Sequence, residues 1–124
     1  MIVKGIRWVG IATDRYDEMR AFALETLGLG LVGEEEDFLE TMAANGDKLE
    51  LMGPRCPYPD YQFSSNPQVV GFLVDDIRAA SAELAAAPGV ELLGELNEMD
   101  DGYAWQHFRA PDGFVYELTF DPGA

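Results

Sequence analysis

The sequence predicts an α+β fold: two tandem βαβββ modules whose curved mixed sheets form a shared cleft, with the helices on the outer faces. Three observations predict it. The chain aligns with itself at one constant offset, which sets Gly10 on Gly71, Asp14 on Asp75, Gly28 on Gly89, Leu31 on Leu92, Gly33 on Gly94 and Glu34 on Glu95 without a gap from residue 8 to residue 34. At a larger offset Leu49-Glu50-Leu51 falls on Tyr116-Glu117-Leu118. Between the copies lies a stretch broken by Pro54, Pro57, Pro59 and Pro67, with the polar run Ser64-Ser65-Asn66. The boundaries follow as module 1 over 1-52, a Pro-rich linker over 53-68 and module 2 over 69-124. The whole 1-124 is one domain, because 124 residues bury one substantial core while halves of about sixty residues would each be marginal.

Taken in order, Ile6 to Ala12 is a short buried strand, and Thr13-Asp14 offers a helix N-cap. Tyr16, Met19, Phe22, Ala23 and Leu27 recur at helical spacing, and Gly28 ends that helix. Leu29 to Val32, Phe38 to Ala44 and Lys48 to Met52 read as strands, the last two joined by a hairpin turn at Asn45-Gly46 or Gly46-Asp47. The linker carries Tyr58, Tyr61 and Phe63, which either cover a cleft or pin the segment to the surface; the pinned arrangement is the expectation. Val69 to Asp75 is a strand ending in a capping residue. Ile77, Ala80, Leu84 and Ala85 mark a helix closed by Pro88-Gly89, and Val90 to Leu93 is a further strand. Pro111-Asp112-Gly113 is a turn. Behind it Phe114, Tyr116, Leu118 and Phe120 share one face of a strand, and Val115, Glu117 and Thr119 the other.

Composition bounds the function. With 23 acidic and 8 basic residues the net charge is −15, a field that repels nucleic acid and anionic membrane surfaces and would concentrate cations or cationic small molecules near any acidic cleft. Cys56 is alone and forms no intrachain disulfide. The start, Met1-Ile2-Val3-Lys4-Gly5, has no signal-peptide character and no apolar run approaches membrane-spanning length, so a soluble cytoplasmic protein is expected.

The candidate site grows from the repeated strands. Glu50 and Glu117 each sit inside a strongly apolar strand, where an acid needs a reason, and a pseudo-twofold between the modules would point both into one concave space. Tyr103, Trp105, His107 and Arg109 alternate on the strand before the final turn, a set suited to a ligand cleft. A three-residue loop would set His107 directly across from Glu117; two or four residues would turn it to the other side.

Trp-Val-Gly-Ile opening the first half, Val-Gly-Phe-Leu-Val-Asp-Asp opening the second, and the closing strands Leu-Glu-Leu and Phe-Arg-Ala-Pro-Asp-Gly-Phe-Val-Tyr-Glu-Leu together resemble the vicinal oxygen chelate superfamily, the glyoxalase, bleomycin-resistance protein and extradiol dioxygenase group. The resemblance covers nearly the whole chain. It implies metal-ligand positions at Glu50 and Glu117 in the closing strands and, where the family usually has histidine, at Trp8 and Val69 in the opening strands. Neither Trp8 nor Val69 binds a metal, so no cofactor is expected; a divalent metal, if held, would fall to Glu50, Glu117 and His107. Ala110 replaces the aspartate usual in the family's final turn.

Three functions follow as expectations. The first is a glyoxalase- or bleomycin-resistance-like binding protein, of the kind that confers antibiotic resistance by sequestration. It would hold an aromatic or cationic organic ligand among Trp8, Glu50, Tyr103, Trp105, His107 and Glu117. The second is an isomerase, lyase or other enzyme using Glu50 and Glu117 as catalytic proton carriers, with or without a metal, and with Arg109, Tyr103 or His107 stabilising negative charge. Metal-dependent glyoxalase activity is not expected, given Trp8 and Val69. The third is an accessory domain without a ligand. The resemblance also implies a homodimer.

Overall fold

A computed structural model describes residues 1–124. Eight strands form one mixed sheet in the order β2-β3-β4-β1-β5-β8-β7-β6. They are β1 Val3–Ala12, β2 Gly30–Glu35, β3 Phe38–Met42, β4 Lys48–Met52, β5 Gln68–Val74, β6 Glu91–Glu98, β7 Ala104–Arg109 and β8 Val115–Phe120. Helix α1 (Tyr16–Ala21) follows β1 and helix α2 (Ile77–Ala86) follows β5. The first four strands and the last four do not form separate sheets: β1 pairs antiparallel with β5, joining them edge to edge. Outward from that seam the order is β1, β4, β3, β2 on one side and β5, β8, β7, β6 on the other, with β1–β4 and β5–β8 parallel.

Both helices lie on one face of the sheet. Under α1, Tyr16 and Ala23 pack on Leu39 and Leu51; under α2, Ile77 and Ala80 pack with Val74, Ala104, Phe108 and Leu118. These are the residues that period-two alternation assigns to one side of β3, β4, β7 and β8, leaving Lys48, Glu50, His107 and Glu117 for the other.

Local details depart from the expected pattern. Thr13-Asp14 does not cap α1: the Thr13 hydroxyl accepts from Arg15 N at 3.0 Å, a bond that tightens the approach to the helix and leaves its first turn without a side-chain cap. The helix ends in a π-type turn, Phe22–Thr26, where Leu27 N donates to Phe22 O, and Gly28 then takes φ +70°. In the second half Asp76 is the cap, its Oδ1 accepting from Ala79 N at 3.0 Å; Asp75 instead meets Lys4 at 3.0 Å. Phe114 is 47% exposed and outside β8, because its carbonyl closes the preceding turn by accepting from Ala110 N. β6 runs on to Glu98, beyond the expected end at Leu93.

Candidate functional site

The sheet face away from the helices carries a cavity of about 690 Å³, built within one chain from both halves of the sheet. Trp8, Glu50, Tyr103, Trp105, His107 and Glu117 all line it. Val69 does not; it is fully buried, packed in one cluster with Trp8, Met52, Leu93 and Val115. Arg109 is also outside it, because its guanidinium donates to Ser65 Oγ at 2.7 Å and Gly113 O at 2.8 Å and so braces the final turn.

Strand register puts the floor together. β1 and β4 run parallel with Gly10 beside Glu50, and β5 and β8 with Gly71 beside Glu117. Both glycines leave necessary space. A side chain at Gly10 would meet the Trp8 indole at 2.2 Å, and one at Gly71 would meet Thr119 Oγ1 at 2.7 Å and Glu117 Oε2 at 3.0 Å. The Pro111-Asp112-Gly113 turn closes between Ala110 and Phe114, which sets His107 opposite Glu117 in the β7–β8 ladder.

The two carboxyls differ in environment. Trp8 Nε1 donates to Glu50 Oε1 at 2.8 Å. Burial nevertheless raises the Glu50 pKa against that bond, helped by the negative charge of Glu40. Glu117 is 4% exposed, and its pKa is driven well above the ordinary 4.5 by burial first and the Glu50 charge second; the Thr119 hydroxyl and Lys48 oppose the rise. His107 is 3% exposed, and burial lowers its pKa from 6.5 to about 4. Its Nε2 lies 3.9 Å from Glu117 Oε1, too far for a hydrogen bond, and the pair is a neutral imidazole facing a carboxyl, not a salt bridge.

Several lining residues escaped the sequence reading. Lys48 stands over the Tyr103 ring at 4.1 Å and reaches Glu40 at 3.8 Å, the one basic side chain of the lining. It has the same strand parity as Glu50, a signal sufficient to find it. The segment between β4 and β5 is pinned and also lines the cavity. Tyr61 and Phe63 pack on the buried cluster that holds Trp8 and Val69, Tyr58 meets Phe63 edge-on at 4.8 Å, and the Tyr61 hydroxyl lies 3.5 Å from His107 Nδ1. Glu35, Glu36, Glu40 and Asp101 add negative charge to the lining. Trp8 is only 5% exposed, a buried wall; the aromatic residues of the lining that keep accessible surface include Tyr58 and Tyr61 and the pair Tyr103 and Trp105, whose rings are 6.3 Å apart.

The model of the glyoxalase/bleomycin resistance protein/dioxygenase superfamily matches residues 5–118. The chain belongs to this superfamily. No curated protein matches it by sequence. Solved structures agree on the fold. The chain is similar to a superfamily member from Vibrio splendidus 12B01, at 18% identity and TM-score 0.66, covering 94% of this chain and 100% of that one. It is similar to methylmalonyl-CoA epimerase from Mycobacterium tuberculosis, at 21% identity and TM-score 0.68, covering 98% and 91%. It is also similar to the Mn(II)-bound glyoxalase from Novosphingobium aromaticivorans, at 24% identity and TM-score 0.73, covering 96% of this chain and 39% of that one.

The two opening-strand positions where the resemblance implies histidine ligands carry no metal donor here. No three His, Cys, Asp or Glu side chains converge to hold an ion. The indole of Trp8 has no lone pair to give and spends its N–H on Glu50, while Val69 is an alkyl group.

Proposed function

We propose that the cleft binds a small organic molecule with an aromatic ring, neutral or cationic overall, without a metal. The single observation that carries this is the Trp8–Glu50 hydrogen bond: an indole N–H occupies the carboxylate at 2.8 Å, in a cavity whose other walls are aromatic and whose lining is acidic. Tyr103 and Trp105 supply a face for the ring. Glu35, Glu36, Glu40 and Asp101 outnumber Lys48 and disfavour anions. The palindromic strand order about β1 and β5 supports the reading of two tandem modules, and homodimer formation and a sequestering role in antibiotic resistance belong to the same proposal.

Titration of tryptophan fluorescence with 1-naphthylmethylamine, 2-ethylnaphthalene and 2-naphthoate tests it. The cation and the hydrocarbon are expected to bind, the carboxylate at least about tenfold more weakly, and Trp105→Ala to weaken binding by a similar factor. Equal binding of the carboxylate, or full binding by Trp105→Ala, would end this reading. Native mass spectrometry of the purified protein checks the metal-free and dimeric parts.

A second reading has one specific observation in its favour. Glu117 is a buried carboxyl with a raised pKa beside a neutral imidazole, the pairing a proton-transfer enzyme would use. Turnover lost in Glu117→Gln would establish it.

A further inference from the structure

At the end of the cleft where β4 and β7 begin, the protein holds a cation of its own. Lys48 Nζ stands over the Tyr103 ring, 4.1 Å from its centre, and 3.8 Å from Glu40 Oε2. All three residues line the cavity. In the sheet β4 and β7 are separated by β1, β5 and β8, so the contact crosses the cleft from one half of the chain to the other. The hold is loose. At 3.8 Å the ammonium is beyond hydrogen-bond distance of Glu40, and the two side chains keep 16% and 24% of their surface exposed.

The place suits a cation better than Lys48 can exploit. A ring face and a carboxylate a few ångströms apart are the two groups that recognise an ammonium. Lys48 is tethered to β4 and meets both at long range. A free ammonium arriving from the cavity can close to hydrogen-bond distance of Glu40 while staying over the ring. The room it needs is the room that the Lys48 ammonium now fills, and the flexible four-carbon stem lets that group withdraw toward water. With Glu35, Glu36 and Asp101 also in the lining, the local field favours the exchange of one cation for another over its replacement by an anion.

Trp105 restricts what is attached to that ammonium. Its ring centre lies 6.3 Å from that of Tyr103, so a molecule with its charge over Tyr103 lays an aryl ring on Trp105 when a short alkyl linker joins the two. We infer that Tyr103 and Glu40 form a subsite for a primary ammonium group, filled by Lys48 in the free protein and yielded to the ligand, so that the ligand is an arylalkylamine. This rests on the cleft being a small-molecule site, as proposed above. Lys48 is then a specificity-determining residue, an internal competitor. A cation joined to a ring adds ring burial to its charge and displaces it; a neutral aromatic molecule leaves it over Tyr103.

The chain has two lysines, and Lys4 lies outside the cleft against Asp75, so the exchange can be watched on the intact protein. In proton–carbon NMR the Lys48 Hε signals should lie upfield of those of Lys4, shifted by the Tyr103 ring current. Saturating 1-naphthylmethylamine is expected to move them to the Lys4 position, and saturating 1-naphthylmethanol, its neutral counterpart, to leave them upfield. By calorimetry Lys48→Met should raise the ratio of amine to alcohol affinity about tenfold, and Glu40→Gln added to that variant should lower the ratio again by about tenfold. Lys48 signals that are not upfield in the free protein, that stay upfield with the amine bound, or that move equally with the alcohol overturn the subsite and leave the binding site standing. A ratio unchanged or lowered in Lys48→Met also overturns it, a lowered one by making Lys48 the partner of an acceptor group on the ligand. Binding of the alcohol without the amine overturns the subsite alone; binding of neither overturns both readings. The NMR comparison needs no variant to fold.

Discussion

His107 is the only histidine in the chain, so its titration can be followed by NMR as a single imidazole. Its pKa is lowered from 6.5 to about 4 by burial. The unfolded chain therefore takes up a proton below pH 6.5 that the folded protein refuses until about pH 4, and stability falls across that window on acidification. Glu117 acts with the opposite sign. Its folded pKa is raised above 4.5, so the unfolded chain ionises first, and stability falls as pH rises from about 4.5 toward the folded value. Urea unfolding of Glu117→Gln across this range should show a gain over the parent that grows above pH 4.5; curves that run parallel would show Glu117 to be titrating normally. Some of this site was legible from the residues. Alternation alone separated Glu117 from Leu118, and the same parity would have put Lys48 beside Glu50. The Trp8–Glu50 bond and the Tyr61–His107 contact were not legible, because each joins residues distant in sequence that meet only through a strand register or a loop path.

At the scale of elements, β5 is the strand whose neighbours leave it least room. Gly71 pairs with Trp8 on one side and Glu117 on the other, and a methyl group there would meet Thr119 Oγ1 at 2.7 Å, Glu117 Oε2 at 3.0 Å and Trp8 Cβ at 3.1 Å. Gly71→Ala is expected to cost about 1–3 kcal/mol through overpacking. Gly33→Ala, on edge strand β2 with its nearest neighbour atoms at 3.9 Å, should stay within about 0.5 kcal/mol of the parent. Denaturant midpoints of the two variants decide it; equal midpoints would mean that the β5–β8 ladder yields. β4 was readable from its own residues because a turn signal and an apolar alternation bound it. The edge strand β6 was cut short in the reading because Gly94 and Asn97 weaken the strand pattern, and its register with β7 shifts between Leu93 and Asn97.

Across the whole molecule, charge sets the response to conditions. Even with seven of the eight basic side chains in ion pairs with acids, most of the 23 acidic residues remain unpaired. Self-repulsion then outweighs the surface pairs that salt would weaken. Raising sodium chloride from about 0.01 M to about 0.5 M should lift Tm by a few degrees; a fall in Tm would show the pairs to dominate. No helix is long and apolar enough to cross a membrane. The antiparallel contact of β1 with β5 also governs how such a chain can change length. One residue inserted into β1 would turn Trp8 toward the helices and strip Glu50 of its donor in the same event. An insertion between Met52 and Gln68 crosses no ladder and reaches the cleft only through that segment's own lining residues, Tyr58 and Tyr61 among them. Length variation among descendants of this chain therefore has one open segment in which to accumulate, and the central strands pass on as a block.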